Sequence, residues 1–112
     1  MTIENGRVVT LFLGAVGLTG AVPAEIGRLG ALKGLYLRGN QLTSLPAEIG
    51  QLTSLRELWL DDNQLTSLPT EIGRLTSLKE LWLDDNQLTS WPVAIRELKA
   101  AGCRVEWDRI TA

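Results

Sequence analysis

The chain has 112 residues and a formal net charge of −2, with no histidine and one cysteine. This length allows one domain, and the small negative charge argues against nucleic-acid and anionic-membrane partners. Without histidine the chain lacks the usual general base and the commonest metal ligand, and a lone cysteine cannot form an internal disulfide. These features favour a non-enzymatic protein that needs no cofactor and resides in the reducing cytoplasm.

Residues 1–7 are polar, and we expect them to be a frayed lead-in. The apolar stretch that follows, VVTLFLGAVGLTGAV, is hydrophobic enough for a signal peptide, but the residues before it carry no net positive charge. It is also too short and too rich in glycine to span a membrane. Because it is in phase with the repeats described next, we interpret it as part of the first repeat.

The rest of the sequence is a repeated unit. Three copies of equal length occupy residues 32–54, 55–77 and 78–100, and residues 8–31 form a related copy that is longer by a single position. Their shared pattern is LxxLxLxxNxLxxLPxxIxxLxx. Self-similarity at a period of this length indicates stacked repeats that bury one continuous core, within a single domain spanning residues 1–112.

Four in-phase copies with Leu, Asn, Pro and Ile at fixed offsets resemble the leucine-rich repeat family from about Val8 to Leu98. The segment LTGAVP is similar to the plant-specific subtype, and the later LTSLPxEIG segments are similar to the intracellular Ras-group subtype. The resemblance implies an α/β repeat solenoid, a short arc with a parallel β-sheet on its concave side. It also implies that partners contact the concave sheet and that the recurring asparagines form a ladder.

Each copy begins with a Leu-x-Leu step, which has the two-residue period of a strand. Leucines such as Leu58 and Leu60 therefore face the shared core, and the residue between them faces the opposite side. Geometry predicts that these intervening residues form a row across the concave sheet, with about 4.8 Å between neighbouring strands. They are aromatic in all four copies, namely Phe12, Tyr36, Trp59 and Trp82.

A turn follows each strand, where Asn40, Asn63 and Asn86 recur. An amide side chain has both donors and acceptors, so it can satisfy backbone groups that leave the sheet. A structural role for these residues is therefore much better supported than a ligand site. Val16 stands at this position in the first copy, and we expect the first turn to be less well tied.

A proline starts the return segment of each copy, at positions 23, 46, 69 and 92. The glycines at positions 27, 50 and 73 disfavour long helices there. We therefore predict short turns or 3₁₀ segments on the convex side. Isoleucines at 26, 49 and 72, with leucines at 29, 52 and 75, close the core from that side.

The last copy departs from the pattern, with Trp91 in place of leucine and no glycine in its return segment. The segment PVAIRELKAAG predicts a helix that starts near Pro92 and ends before Gly102. CRVEWD, from Cys103 to Asp108, alternates like a strand, with Cys103, Val105 and Trp107 facing inward. Together they predict a C-terminal cap over about residues 92–112, which closes the array.

The aromatic row has two interpretations. Large aromatic side chains on an open sheet face are typical anchors for a partner. They are also good strand residues that stabilise one another by stacking, which requires no partner. We weigh the two equally, because an uncovered aromatic row is unfavourable for a monomer.

The concave face should also be charged. Copy 32–54 contributes Lys33 and Arg38 and no acid, whereas the next two copies contribute several acids. We expect a face that is basic towards its N-terminal part and acidic towards its C-terminal part, suited to a basic, apolar partner segment or to an antiparallel homodimer. The other interpretation is a solvated surface. The candidate partner-binding residues are Phe12, Tyr36, Arg38, Arg56, Glu57, Trp59, Asp61, Asp62, Lys79, Glu80, Trp82, Asp84 and Asp85.

The four aspartates also raise the question of calcium, but nothing in the sequence resembles an EF-hand loop. Cys103 without a histidine is a poor nucleophile candidate and is predicted to be a core residue.

These observations leave three hypotheses for function. The first is a protein-interaction module that binds its partner on the concave face. The second is a self-associating or consensus-like scaffold, paired through the same face or through an exposed edge strand at Val8–Leu13. The third, a small GTPase or its regulator as partner, rests on the subtype resemblance alone.

Overall fold

The computed structural model describes residues 1–89 and 93–107. The predictions for Trp91, Pro92 and Asp108 lie outside the described residues. The strands are β1 (Thr2–Glu4), β2 (Arg7–Phe12), β3 (Thr19–Ala21), β4 (Gly34–Tyr36), β5 (Gln41–Ser44), β6 (Glu57–Trp59), β7 (Glu80–Trp82) and β8 (Arg104–Glu106). One helix, α1, spans Val93–Ala100, and 3₁₀ segments span Ala24–Arg28, Ala47–Gln51 and Thr70–Arg74.

The main sheet has the strand order β1-β2-β4-β6-β7-β8, and a second small sheet pairs β3 with β5. From β2 to β8 the neighbours are parallel, and equivalent residues of successive copies lie opposite one another. Leucines of the central copies, including Leu58 and Leu60, are completely buried between the sheet and the 3₁₀ segments. The predicted solenoid arc, with its parallel sheet and 3₁₀ segments, is therefore confirmed.

The N-terminal residues are not frayed, and that prediction is wrong. Asn5 and Gly6 have φ angles of 52° and 74°, as a two-residue type I′ hairpin turn requires. The turn brings Glu4 opposite Arg7 and pairs β1 with β2 in antiparallel orientation. The exposed edge of the main sheet is therefore β1, and not the Val8–Leu13 strand that the sequence suggested.

The turns that follow β2, β4, β6 and β7 each have a residue with a positive φ at the same position of the repeat. These residues are Ala15, Gly39, Asp62 and Asp85, with φ angles of 54°, 71°, 57° and 57°. Glycine adopts this left-handed conformation freely and aspartate tolerates it, whereas the Cβ of alanine clashes with the following carbonyl. The first turn is therefore the strained one of the four.

Replacing Ala15 with glycine should stabilise the protein by about 0.5–1 kcal/mol, because relief of this strain outweighs the added freedom of the unfolded chain. The measurement is a shift of the urea unfolding midpoint to higher concentration. Ala47→Gly, at an exposed position without a positive φ, is the control and should not stabilise. A fall in stability for Ala15→Gly would contradict this account.

The convex glycines have a role that the sequence did not reveal. None of Gly27, Gly50 and Gly73 has a positive φ, so conformational freedom does not explain them. A Cβ on Gly27 would lie 2.9 Å from the carbonyl oxygen of Glu48, and one on Gly50 would lie 2.8 Å from that of Glu71. Glycine is needed here because neighbouring 3₁₀ segments approach this closely.

The C-terminal helix and strand are confirmed within the described residues. Ala94, Ile95 and Leu98 of α1 are buried, and its charged residues are exposed. The helix ends at Ala100. Gly102 follows it with a φ of 100°, and the N–H of Cys103 donates to the carbonyl of Leu98, as in a Schellman motif. Cys103 is buried, and β8 pairs in parallel with β7.

Among the described residues, no helix is both long enough and apolar enough to cross a membrane.

Candidate functional site

The concave face is built from rows of side chains that run across the strands. One row consists of Thr10, Gly34, Glu57, Glu80 and Arg104, and the next consists of Phe12, Tyr36, Trp59, Trp82 and Glu106. Strand alternation places both rows on the side opposite the buried leucines. The structure therefore brings the predicted aromatic residues together, and it shows that β8 extends both rows.

The aromatic side chains form a continuous stack. Phe12 and Tyr36 stack with 4.7 Å between ring centroids, and Trp59 and Trp82 stack at 5.2 Å. Tyr36 and Trp59 meet edge to face at 4.8 Å. These are favourable aromatic geometries, so the row contributes to stability by cross-strand stacking. Phe12, at the open end of the row, is 58% exposed, and the other three are half-buried.

Two glutamates accept hydrogen bonds from this row. The hydroxyl of Tyr36 donates to Oε1 of Glu57 at 2.5 Å, and Nε1 of Trp82 donates to Oε1 of Glu80 at 2.9 Å. The Tyr36 ring lies over Gly34, where a Cβ would come within 2.8 Å of the phenol. Nothing in the repeat pattern identified Gly34 as part of the site.

Tyr36 is the only tyrosine in the chain, so its titration can be followed by absorbance without overlap from other tyrosines. Burial and, secondarily, Glu57 raise the pKa of Tyr36 from 10.0 to about 12. We expect Glu57→Gln to lower this pKa back towards its ordinary value, with Glu25→Gln as the control. The stability linked to this proton is complete below pH 10 and is lost as the pH rises towards 12. An unchanged titration in Glu57→Gln would contradict the assignment.

The remaining predicted charges are partly paired with one another. Arg38 pairs with Asp61 at 3.2 Å, and Asp61 is buried. Because β8 continues the sheet, it places Arg104 beside Glu80 and Glu106 beside Trp82. Arg104 and Glu106 form an ion pair with each other, so β8 adds no net charge to this edge, and the charge gradient stays a prediction.

The other charged candidates lie at its margins. Asp62 and Asp85 occupy the left-handed position of their turns, which gives them a structural role. Arg56 and Lys79 are exposed and lie immediately before β6 and β7. The N–H of Lys79 donates to the carbonyl of Arg56.

The asparagine ladder ties each copy to the one before it. Asn63 donates to the carbonyls of Leu37 and Leu60, both at 3.0 Å, and accepts from the N–H of Leu42 at 3.1 Å. Asn86 makes the equivalent three bonds one copy further along. These groups lie inside the arc, and a structural role for the asparagines is confirmed.

Val16 leaves the first turn less well tied than the later ones, as predicted, although Asn40 of the next copy still anchors it. Oδ1 of Asn40 accepts from the N–H of Val16 at 3.2 Å and from that of Leu18 at 3.0 Å. Nδ2 of Asn40 donates to the carbonyl of Leu13 at 2.8 Å. Asn63 also donates within its own copy, to the carbonyls of Leu60 and Asp61, and Val16 has no amide to make the corresponding bonds.

The described residues give little evidence for a catalytic site or a metal site. In the part of the chain that the structure describes, no three His, Cys, Asp or Glu side chains are placed to hold a metal ion. Burial and, to a lesser extent, Glu80 raise the pKa of the Cys103 thiol, which disfavours the reactive thiolate.

The N-terminal end of the arc is a second feature that sequence reasoning missed. Leu11, Leu13 and Leu18 are only half-buried, although the equivalent leucines of later copies are buried. They line an apolar cavity of about 280 Å³. The repeat pattern assigned these leucines to the core, but only a preceding copy would bury them completely.

Comparison with known proteins agrees with this geometry. The family model of a leucine-rich repeat region matches residues 11–100. No curated protein sequence matches the chain.

Several solved structures share the fold. A leucine-rich repeat protein of Leptospira interrogans is 38% identical, with a TM-score of 0.77 over 88% of this chain and 25% of that chain. A chain in the complex of the Arabidopsis receptor kinase HAESA with the peptide hormone IDA and the co-receptor SERK1 is also 38% identical, with a TM-score of 0.75 over 90% of this chain and 17% of that chain. The plant peptide hormone receptor RGFR1, in complex with RGF2, is 32% identical, with a TM-score of 0.79 over 90% of this chain and 17% of that chain.

This chain thus spans a quarter or less of the length of these three structures. The repeat pattern, the parallel sheet, the asparagine ladder and the family match agree, and the chain belongs to the leucine-rich repeat family.

Proposed function

We propose that the chain binds a protein or peptide partner on its concave face, with Tyr36, Trp59 and Trp82 as anchors. The observation that carries this proposal is the stacked aromatic row, which lies across the open face of the sheet. Rigid aromatic side chains offer large contact areas at low entropic cost. Among the plant structures similar to this chain, one is a complex with the peptide hormone IDA and another is a peptide hormone receptor in complex with RGF2, which supports the same role here.

The charges beside the row favour a basic, apolar partner segment. Glu57 and Glu80 are half-buried next to the aromatic rings, and each accepts a hydrogen bond from one of them. Acidic groups in this position attract cationic side chains, which also interact well with aromatic faces. Asp84 follows the strand of Glu80 and adds to the negative potential. Asp61 follows the strand of Glu57, but its charge is compensated by Arg38. At the margins lie Asp62, Asp85, Arg56 and Lys79.

The role that we propose is non-enzymatic. Leucine-rich repeat domains typically act as interaction modules, and the residues described include neither a metal cluster nor a histidine-activated nucleophile.

The test is selection of peptides from a displayed random library on the wild-type chain, followed by affinity measurements on variants. We expect the double variant Trp59→Ala/Trp82→Ala to weaken the selected peptides at least about 30-fold, the effect of losing a hot spot. Val93→Ala, which removes an exposed apolar side chain of α1, is the matched control and should bind normally. Unchanged binding by the double variant would refute the proposal.

A second candidate function, self-association, is favoured by the N-terminal end of the arc. Four of the five large exposed apolar side chains among the described residues lie there, namely Met1, Ile3, Phe12 and Val16. All three residues of the edge strand β1 are exposed, and an open edge can pair with a second copy.

Light scattering across a concentration series separates the two candidates. A dimer that persists in Trp59→Ala/Trp82→Ala and dissociates in Ile3→Lys would be edge-paired, and the opposite result would indicate face pairing. A monomer at all concentrations would eliminate self-association. No contact among the described residues supports the third hypothesis, in which the partner is a small GTPase or its regulator.

A further inference from the structure

Glu57 and Glu80 occupy equivalent positions in neighbouring copies but accept hydrogen bonds from different donors. Glu80 binds Nε1 of Trp82, two residues along its own strand. Glu57 instead binds the hydroxyl of Tyr36, which lies on the preceding strand. The two copies are otherwise almost identical in this region, so the difference must come from the neighbouring copy.

The cause is the aromatic residue on the strand that precedes each glutamate. Tyr36 carries a hydroxyl that reaches Glu57, whereas Trp59, which precedes Glu80 in the same way, has none. Tyr36 reaches Glu57 because its ring lies over Gly34, a position without a side chain.

This arrangement affects the indole N–H of Trp59. Its Nε1 atom is shielded from solvent and has no hydrogen-bond acceptor among the described residues. A buried donor without an acceptor is unfavourable. The equivalent donor in the next copy, Nε1 of Trp82, is satisfied by its own glutamate. In copy 55–77 the Glu57 carboxylate is turned towards Tyr36, and neither of its oxygens accepts from Nε1 of Trp59 in this orientation.

We propose that Glu57 is a two-position switch, which moves from Tyr36 to Nε1 of Trp59 when an acceptor on a concave-face partner engages the Tyr36 hydroxyl. In the second position Glu57 binds Trp59 as Glu80 binds Trp82, and Tyr36 donates to the partner. Every donor of the cluster then has an acceptor. The switch rests on the proposed function, because the partner that triggers it is the one bound on the concave face.

The switch selects a particular partner chemistry. At neutral pH the phenol is protonated, because even the ordinary pKa of a tyrosine lies well above 7. It can therefore donate to a carbonyl or carboxylate oxygen of the partner. A backbone carbonyl of an extended peptide that crosses the strands meets this requirement, and a partner offering only donors does not.

The test uses indole N–H resonances of the ¹⁵N-labelled full chain, assigned by Trp→Phe variants. Tyr36→Phe keeps the ring and removes the hydroxyl, which imitates the engaged state. We expect the Trp59 resonance to move downfield towards that of Trp82, because a carboxylate now accepts its hydrogen. The Trp82 resonance should stay in place. A Trp59 resonance that does not move in Tyr36→Phe would overturn the proposal.

Two further variants guard against an indirect effect of the changed ring. Tyr36→Phe combined with Glu57→Gln should lose most of the downfield shift, because the anionic acceptor is gone. Gly34→Ala retains the hydroxyl but displaces the ring from its place above position 34, and it should reproduce the shift. Retention of the full shift in the double variant would show that Glu57 is not responsible.

N-methylacetamide, the smallest molecule with a peptide carbonyl, serves as the probe for the partner's acceptor. Titrated into the wild type, it should move the Trp59 resonance towards its position in Tyr36→Phe, and it should have no such effect on that variant. Equal shifts in both would refute the role of Tyr36. These measurements use the protein without a partner, so a negative result would refute the switch and leave the proposed function standing. If the peptide selection gave no binders, the exchange of Glu57 between Tyr36 and Trp59 could still be measured.

Discussion

Asn63→Ala is expected to lower the free energy of unfolding by about 3–5 kcal/mol, because it removes several buried hydrogen bonds at once. The side chain is 5% exposed and makes four hydrogen bonds to the backbone of its own copy and the preceding one. Truncation leaves the N–H of Leu42 without this acceptor, which costs roughly 1–3 kcal/mol. The carbonyls of Leu37 and Leu60 keep a second amide donor, from Asn40 and Asn86, so each bond lost there costs only about 0.5–1.5 kcal/mol. Urea unfolding followed by tryptophan fluorescence measures the loss.

Gln64→Ala is the matched control for this change. The residue is adjacent to Asn63 in sequence and its side chain is exposed, so we expect a change of at most about 0.5 kcal/mol. A loss below about 1 kcal/mol for Asn63→Ala would mean that water replaces the amide, and the ladder would then not be a main source of stability.

Gly50→Ala should destabilise the protein by about 2 kcal/mol, the middle of the range for overpacking, although alanine usually favours helical segments over glycine. The new Cβ would lie 2.8 Å from the carbonyl oxygen of Glu71 and 3.0 Å from its Cβ. These atoms belong to the next 3₁₀ segment, so relief requires two copies to separate. Thermal unfolding followed by circular dichroism provides the measurement.

Gly73→Ala tests the same idea at the neighbouring copy. Its Cβ would meet Cβ of Ala94 at 3.3 Å and Oε2 of Glu97 at 3.4 Å. These are side-chain atoms at less severe distances, so the loss should be clearly smaller than for Gly50→Ala. Equal losses in the two variants would show that a property of glycine other than close approach determines both.

The repeat pattern predicted the strands, the concave aromatic row, the 3₁₀ segments and the C-terminal helix. It succeeded because the alternation along a strand and the constant length of the repeat fix which side chains share a face. The N-terminal hairpin was missed although Asn5-Gly6 is a strong turn signal, because β1 has only three residues, too few to show the alternation of a strand. The small sheet of β3 and β5 was also missed.

The parts of the site that could not be predicted depend on distances between copies. Whether Glu57 binds Tyr36 or Trp59 is decided by the reach of one hydroxyl across two strands. The need for glycine at position 50 arises from a backbone atom in another copy. The role of Arg104 depends on β8 joining the sheet. A one-dimensional pattern identifies the members of each row but does not show which neighbours their side chains select.

The asparagine ladder also determines how the gene can change in length. Each amide reaches back by one copy, so an in-frame duplication of residues 55–77 would bring its own asparagine, convex glycine and tryptophan and would break no existing bond. Segments 55–67 and 78–90 differ only at Arg56 and Lys79, as such an event would leave them. A unit placed before β2 would instead meet β1 at the sheet edge. Internal duplication or deletion is therefore the route by which the aromatic row can lengthen or shorten, one ring at a time, while both ends keep their structure.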